Sequence, residues 1–165
     1  MVPAAVTVLV YAKNESLFVL FNKRTDKVEH HKGEISFPGG VKDPDDEDLK
    51  ATALRETYEE MGISPSAILI LGQLDDVITS TNFIIKPFIG TIDYPYTFNV
   101  NVAEVAEVIE IPLEELLNPD NIREEILLKP GRQSVKSYAY AYNGHLVYGA
   151  TAAIVTQLLK LIKWE

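Results

Sequence analysis

Three glutamates near the middle of the chain have the residue type and the spacing of a divalent-metal site. Glu56, Glu59 and Glu60 stand at i, i+3 and i+4, so a helix would carry all three carboxylates on one face of one turn. Like charges at this spacing destabilise a helix by roughly 0.2–0.5 kcal/mol per pair. A hard cation such as Mg²⁺ would remove that repulsion, because it prefers oxygen ligands and accepts substrate phosphates in the same shell. The alternative is a solvated acidic helix face, which short acidic motifs often are.

A helix is predicted around these glutamates, from about residue 46 to residue 61. Apolar residues recur there at helical spacing, at Leu49, Ala53, Leu54 and Tyr58. Asp45 or Asp46 is expected to cap the start of the helix. Gly62 is expected to end it, since glycine adopts the left-handed conformation past a helix end at little cost.

Residues 37–63 resemble the signature of the Nudix hydrolases. That signature has a glycine, a glutamate some six residues later and, after about seven more, Arg-Glu-x-x-Glu-Glu-x-Gly. The matching residues are Gly40, Glu47, Arg55, Glu56, Glu59, Glu60 and Gly62, with Ile63 as the closing apolar residue. Gly40 precedes Glu47 by seven positions, one more than the pattern asks. The resemblance implies an enzyme that hydrolyses the phosphoanhydride bond of a nucleoside diphosphate linked to another group.

The preceding segment resembles the additional motif of the coenzyme A pyrophosphatase branch. Arg24, Gly33 and the Phe-Pro-Gly-Gly at residues 37–40 keep its spacing. Three identities differ from the motif, because its threonine, its Ser/Ala and its second arginine are replaced by Asn22, Thr25 and Glu29. Further matches lie at residues 43–46, 52–56, 87–90, 111–113 and 148–152. The resemblance covers roughly residues 20–162 and implies coenzyme A or a derivative as substrate, with 3′,5′-ADP and a phosphopantetheine product.

The resemblance also implies roles for individual residues. Glu56 and Glu60, with Glu59 beside them and the Gly40 carbonyl, are expected to bind Mg²⁺ or Mn²⁺, and Arg55 to hold the carboxylates by charge-assisted hydrogen bonds. Glu104, which follows a polar loop at residues 99–101, is the candidate general base; Glu107 and Glu56 are alternatives, and exposed strand glutamates are common in any case. The remaining candidates are Lys23 and Arg24 for the substrate phosphates, Gly39 for close approach of the backbone to the ligand, and, more weakly, Lys32 and Lys42. His30 and His31 are expected to be surface residues.

Composition limits the classes of function. The chain has 165 residues and 47% apolar residues, enough for a folded domain, which we expect to span residues 1–165. A net charge of −9 argues against nucleic acid as the main partner, because phosphate-backbone contacts need basic surface. The chain has no cysteine, which excludes disulfides and thiol chemistry. No apolar run reaches about 18 residues and no basic leader is present, so we expect a cytoplasmic protein without membrane partners.

The order of predicted elements indicates an α/β (α+β) fold. Strands are predicted at residues 6–11, 16–22, 34–37, 68–74, 84–92, 104–111, 122–128 and 137–142, with further helices at residues 112–117 and 148–162. Polar loops are predicted at residues 25–32 and 75–82. This order suits a mixed sheet between helices, the αβα sandwich that the Nudix resemblance also implies. The long apolar N-terminal strand leaves a homodimer open.

Three rival functions fit the same sequence. A Nudix hydrolase acting on ADP-ribose, a dinucleoside polyphosphate or a nucleoside triphosphate would share the whole signature. A non-catalytic Nudix-fold nucleotide-binding module usually has a damaged signature, whereas Arg55 and the three glutamates are all present here. An acidic structural domain would show no response to divalent metal.

Overall fold

The computed structural model describes residues 1–27, 33–128, 130–131 and 134–163. Its strands are β1 (Val2–Lys13), β2 (Ser16–Arg24), β3 (Ile35–Ser36), β4 (Gly39–Val41), β5 (Leu69–Gln73), β6 (Val77–Ile78), β7 (Phe83–Thr91), β8 (Val105–Pro112), β9 (Ile122–Leu127), β10 (Val135–Tyr142) and β11 (His145–Val147). Its α-helices are α1 (Leu49–Met61), α2 (Leu113–Leu117) and α3 (Gly149–Ile162). The expectations for Glu29, His30, His31 and Lys32 fall outside the described residues.

The first strand joins two parts of the main sheet. From Val2 to Leu9, β1 pairs in parallel with β7, and from Ala4 to Val6 it also pairs antiparallel with β4. Its last four residues pair antiparallel with β2, and the turn between the two strands is formed by Asn14 and Glu15, which both have positive φ. β2 continues to β3 and β8, and β7 continues to β5 and β6. The sheet is therefore mixed, as predicted, and β1 lies at its centre.

Alternation along β1 separates two layers of core. Val8 contributes to a cluster with Ile154 and Leu158 of α3, whereas Leu9 packs in a cluster with Met61 at the end of α1. Because successive strand residues point to opposite faces, α1 and α3 cover opposite faces of the sheet. This arrangement is the predicted αβα sandwich. A separate antiparallel sheet, β11-β10-β9, packs beside α3.

Most predicted elements are present, with shifted ends. The strands predicted at residues 68–74, 84–92 and 104–111 are β5, β7 and β8. The Asn143-Gly144 turn has positive φ at both residues and connects β10 to β11, a strand that the sequence analysis missed. The loop predicted at residues 75–82 contains the short strand β6. On α3, Ile154 and Leu158 are buried, whereas Ile162 is 37% exposed. No helix within the described ranges is long and apolar enough to cross a membrane.

Candidate active site

Helix α1 is fixed to the sheet through two buried threonines. The Thr57 hydroxyl contacts the Thr7 hydroxyl of β1 at 2.8 Å and bonds to the carbonyl of Ala53 at 2.7 Å. Both threonine side chains are fully buried. At its end the helix stops at Gly62, whose φ of 69° confirms the predicted cap. The loop that follows β7 is also attached, since the Asn101 N–H donates to the carbonyl of Glu60 at 2.9 Å. The glutamates therefore stand on a helix that is tethered at its middle and at its end.

Glu60 is the most buried of the three glutamates. It is only 4% exposed, and its Oε2 accepts a hydrogen bond from the N–H of Gly39 at 2.9 Å. The buried Asn22 of β2 donates to the same oxygen at 3.5 Å, and Ser36 donates to the Asn22 amide oxygen at 3.0 Å. Burial raises the pKa of Glu60 to about 8, and the charge of Glu56 acts in the same direction. A buried carboxylate with neutral hydrogen-bond donors is a group that a cation would stabilise in its charged form.

Glu56 lies directly against the glycine pair before the helix. A Cβ atom added at Gly40 would lie 2.6 Å from the Glu56 Cδ and 2.7 Å from its Oε1. Burial raises the pKa of Glu56, while the neighbouring Arg55 lowers it. The two glycines belong to β4 and pair with Ala5 and Val6 of β1. The absence of a side chain at Gly40 leaves room for the carboxylate.

Arg55 connects two of the glutamates to an aspartate. Its Nη1 donates to Glu56 Oε1 at 3.1 Å and to Glu59 Oε2 at 3.2 Å. Its Nε and Nη2 donate to the two oxygens of Asp46 at 2.8 and 2.9 Å. The Glu59 side chain is 49% exposed, so this pair lies at the surface of the cluster. The expectation that Arg55 holds carboxylates fits this geometry for Glu56 and Glu59, whereas Glu60 makes its described bonds elsewhere.

The predicted start of the helix was wrong. Helix α1 begins at Leu49, and its cap is Asp48, whose carboxylate accepts a hydrogen bond from the N–H of Ala51 at 2.8 Å. Neither Asp45 nor Asp46 caps it. The carboxylate of Asp46 is already occupied by Arg55, and Lys42 donates to the backbone carbonyl of the same residue at 2.9 Å.

The loop that carries Glu104 is fixed to the end of β2. The Thr25 hydroxyl donates to the carbonyl of Ala103 at 2.9 Å, and the Thr25 N–H donates to the carbonyl of Glu104 at 3.1 Å. The exposed Glu104 side chain is near enough to the cluster for its charge to raise the pKa of both Glu56 and Glu60. Three carboxylates from two elements therefore share one electrostatic environment.

The other candidates lie in different parts of the fold, and the two on β2 point to opposite faces of that strand. Arg24 acts on the cluster, because its charge lowers the pKa of Glu60. Lys23 follows the alternation of Val19 and Phe21, which pack in the α3-side cluster, so the structure does not group it with the glutamates. Glu107 contacts the ring nitrogen of His145 at 3.5 Å, on the side of the small sheet. Gly39 lies against β1, where an added Cβ would meet the carbonyl oxygen of Ala5 at 2.3 Å.

The donor atoms of this region suit a hard divalent cation, although no finished coordination sphere is present. The cluster offers carboxylate oxygens around a glycine backbone, which is the ligand type that Mg²⁺ and Mn²⁺ prefer. Within the described ranges, however, no three His, Asp or Glu side chains converge closely enough to hold an ion. The pairing of Arg55 with Glu56 and Glu59 accounts for part of this, since those oxygens face the guanidinium.

A depression in the surface lies beside the glutamates. It encloses about 390 Å³ between the end of α1 and the loop after β7, and it is lined by Tyr58, Glu59, Gly62, Asn99, Val100 and Asn101. Tyr58 is 57% exposed here, which leaves its ring available to a ligand. The depression offers space for a part of a substrate that extends away from the reacting group.

Sequence reasoning missed four residues that support the site. Asn22 and Thr25 had been noted only as departures from a motif, and Asp46 as a helix cap and as part of the branch match at residues 43–46. Ser36 was a residue of a short extended segment. Asn22, Thr25 and Ser36 act through partners distant in the chain, which no local pattern reveals. Asp46 had a sequence signal, because it stands six residues after Gly40, where the signature has its acid.

Comparisons with known proteins identify the family of this chain. The model of the NUDIX domain family matches residues 1–128. A protein named uncharacterized Nudix hydrolase NudL, from Photorhabdus laumondii, is 35% identical over 145 residues, which cover 88% of this chain and 77% of that protein. The peroxisomal coenzyme A diphosphatase NUDT7 of Mus musculus is 29% identical over 164 residues, which cover 96% of this chain and 69% of the mouse protein.

Two solved structures share the fold. The NUDIX domain of Shewanella oneidensis NrtR, complexed with ADP ribose, superposes with a TM-score of 0.65 at 20% identity and covers 99% of this chain and 89% of that one. An Ap4A hydrolase binary complex from C. elegans gives a TM-score of 0.59 at 20% identity, with 71% of this chain and 84% of that one covered. With the family match and the NudL identity, these findings show that the chain belongs to the Nudix family and is a Nudix pyrophosphohydrolase.

Proposed function

We propose that this Nudix hydrolase cleaves the phosphoanhydride bond of coenzyme A or a CoA derivative to 3′,5′-ADP and a phosphopantetheine product, with Mg²⁺ or Mn²⁺ as cofactor. The observation that carries the proposal is the shared environment of Glu56, Glu60 and Glu104 around the Gly39-Gly40 backbone. The choice of coenzyme A is supported by the motif before the signature and by the mouse relative, which is named as a coenzyme A diphosphatase.

The cation-binding residues in this proposal are Glu56 and Glu60, with Glu59 and the Gly40 carbonyl as further ligands. When bound, a divalent cation would neutralise diphosphate charge and make water more acidic. The protein would hold Glu60 through Gly39 and Asn22 before the cation arrives, so less reorganisation is needed on binding.

The hydrolytic step needs a base opposite these ligands. We assign this role to Glu104, because its charge acts on both Glu56 and Glu60, whereas the alternative Glu107 contacts His145. Water forms a bond to one phosphorus, its proton passes to the Glu104 carboxylate, and the bond from that phosphorus to the bridging oxygen breaks. The leaving phosphate keeps the bridging oxygen. Arg24 would contact the substrate phosphates, and Lys23 is the weaker candidate because it lies on the other face of β2.

A substrate panel tests the proposal. Coenzyme A, ADP-ribose, a dinucleoside polyphosphate and a nucleoside triphosphate are each incubated with the protein and Mg²⁺ or Mn²⁺, and the products are separated by chromatography. We expect 3′,5′-ADP from coenzyme A and loss of all turnover in excess EDTA. Cleavage of ADP-ribose with coenzyme A untouched would remove the substrate assignment, and no cleavage with any compound would favour a non-catalytic nucleotide-binding module.

Two matched variants test the general base. Glu104→Gln should lower kcat by roughly 10²–10⁴-fold, the usual contribution of a positioned base. Glu107→Gln, an equally conservative change on the same strand region, should leave kcat near the wild-type value. Equal losses in both variants would refute the assignment of Glu104.

The single domain over residues 1–165, the cytoplasmic location and the homodimer stay predictions.

A further inference from the structure

The depression beside the glutamates has a lining that restricts what it can bind. Its volume of about 390 Å³ lies within the range of about 300–1,000 Å³ that is usual for small-molecule sites. One wall is the end of α1, with Tyr58 and Glu59, and the other wall is the loop at residues 99–101. Within the part of the chain that the structure describes, none of the lining residues is cationic. The depression is therefore poorly suited to a phosphate group.

The depression adjoins the proposed reaction centre on two sides. Glu59 lines the depression and also accepts a hydrogen bond from Arg55 Nη1 at 3.2 Å. The Asn101 N–H donates to the carbonyl of Glu60 at 2.9 Å, and the Asn101 carbonyl accepts a bond from the N–H of Glu104 at 3.1 Å. The loop wall of the depression thus links Glu60 to Glu104. A substrate whose diphosphate lies at the glutamates can therefore place a neighbouring group in the depression.

Two asparagine side chains supply hydrogen-bonding groups to this wall. Asn99 is exposed, and its backbone is fixed because its N–H donates to the carbonyl of Met61 at 3.0 Å. The hydrogen bonds among the described residues leave its carboxamide unused. Asn101 Oδ1 accepts the N–H of Ala103 at 3.1 Å, so the NH₂ group of this side chain is the part available to a ligand. Because a carboxamide both donates and accepts, it is a suitable partner for another amide.

Tyr58 and Val100 give the depression an apolar part. Tyr58 is 57% exposed, so its ring offers a large apolar surface to a ligand. Val100 is half-buried and packs against the core cluster that contains Met61. With the two carboxamides, these side chains form a lining for an uncharged chain that carries amide and methyl groups.

The two halves of coenzyme A differ in how well they fit this lining. The adenosine half carries an additional phosphate, which the exposed carboxylate of Glu59 would repel. The pantetheine half is an uncharged chain with amide groups and methyl groups. Arg24, the cationic residue whose charge acts on Glu60, belongs to β2 and does not line the depression. The nucleotide half is therefore better matched to the β2 side, and the pantetheine half to the depression.

We propose that the depression at the end of α1 binds the pantetheine arm of the substrate. The carboxamides of Asn99 and Asn101 bond to the amides of the arm, and Tyr58 and Val100 contact its methyl groups. The inference rests on the proposed function for its substrate, and it adds which half of the substrate lies against α1. It also gives a physical basis for discrimination, because ADP-ribose and nucleoside triphosphates have no amide chain to fill the depression.

Binding of the two reaction products tests this assignment. In the presence of Mn²⁺, 4′-phosphopantetheine and 3′,5′-ADP are each titrated by isothermal calorimetry into wild type, Asn99→Ala, Tyr58→Ala and Leu71→Ala. We expect Asn99→Ala and Tyr58→Ala each to weaken phosphopantetheine binding by roughly three- to tenfold, the usual range for the loss of one neutral contact, and to bind 3′,5′-ADP as wild type does. Leu71 is 62% exposed on β5 and does not line the depression, so Leu71→Ala should bind both products normally.

The choice of variants separates contact with the ligand from support of the fold. Asn99 and Tyr58 are exposed, so their variants should keep the wild-type urea midpoint. Tyr58→Phe retains the ring and should restore most of the affinity for phosphopantetheine. Asn101 is not replaced, because its side chain also supports the loop that carries Glu104.

The outcomes distinguish this inference from the proposed function. Unchanged phosphopantetheine affinity in both alanine variants, equal losses for the two products, a loss confined to 3′,5′-ADP, or no phosphopantetheine binding to wild type would each overturn the inference. If wild type cleaves coenzyme A under any of these outcomes, the proposed function stands without it. If wild type cleaves no coenzyme A but binds phosphopantetheine with the expected response to the variants, the proposed function fails and the binding site stands.

Discussion

Replacement of Glu60 by glutamine should remove most of the pH dependence of stability in the metal-free protein. In the folded chain, burial raises the pKa of Glu60 from its ordinary value of 4.5 to about 8. The unfolded chain releases this proton near pH 4.5, whereas the folded chain keeps it until about pH 8. Between these values the folded state binds more protons than the unfolded state, so the free energy of unfolding must fall as pH rises.

The size of this pH effect on the free energy of unfolding follows from the difference between the pKa of Glu60 in the folded chain and in the unfolded chain. One proton of difference changes the free energy of unfolding by about 1.4 kcal/mol per pH unit, so the loss between pH 5 and pH 8 is on the order of 4 kcal/mol. Glu56 acts in the same direction, because burial raises its pKa as well. Asp46 acts at lower pH, since Arg55 holds its pKa well below the usual range and the stability it contributes is lost only as the solution becomes more acidic.

Urea unfolding in EDTA at pH 5, 6, 7 and 8 measures this slope for wild type, Glu60→Gln and the exposed control Glu47→Gln. We expect a steep decrease for wild type and for the control, and a much smaller one for Glu60→Gln, to which Glu56 still contributes. Saturating Mn²⁺ should flatten the wild-type curve, because a ligand that binds the ionised native state stabilises it by mass action. A wild-type slope equal to that of Glu60→Gln would refute the view that burial keeps Glu60 protonated in the folded, metal-free protein.

Two further predictions concern the backbone around the carboxylates. Gly40→Ala should lower kcat/KM by on the order of 10²-fold with little change in urea midpoint, because the new Cβ would displace the flexible end of Glu56. Gly72→Ala is the control, because nothing lies within 4 Å of a Cβ added there. This control should match wild type in both kcat/KM and urea midpoint. Thr25→Val should lower kcat by roughly tenfold and alter the kcat–pH profile, since the loop of Glu104 loses a hydrogen bond. Thr25→Ser, which keeps the hydroxyl, should restore both, and a loss of stability alone would count against the role of the loop.

The parts of this site that could be predicted are the parts that local chemistry determines. Helical spacing fixed the three glutamates on one helix, and the glycine after Met61 ends that helix because a left-handed conformation is required there. The strands were recognised from alternation. The strand β4 was not predicted, because nothing in a short sequence reveals that Gly39 passes within contact distance of the Ala5 backbone on β1.

The remaining features depend on contacts between distant residues. Asn22 bonds to Glu60 across 38 positions, and Thr25 bonds to Ala103 across 78. No periodicity or local propensity carries such pairings. The helix start was misassigned for a related reason. Asp46 resembled a helix cap in the sequence, but its carboxylate binds Arg55, nine residues later in the chain.

The central position of β1 also affects the order in which parts of the protein can fold during synthesis. β1 begins at Val2, but its parallel neighbour β7 ends only at Thr91, and β8, which flanks the hairpin, ends at Pro112. A nascent chain that has left the ribosome only as far as the glutamate helix has no completed surface on which that helix can pack. Such late, non-local pairing is slow to form and leaves apolar strands exposed meanwhile. The glutamates of α1 are therefore translated before the strands that complete their surroundings.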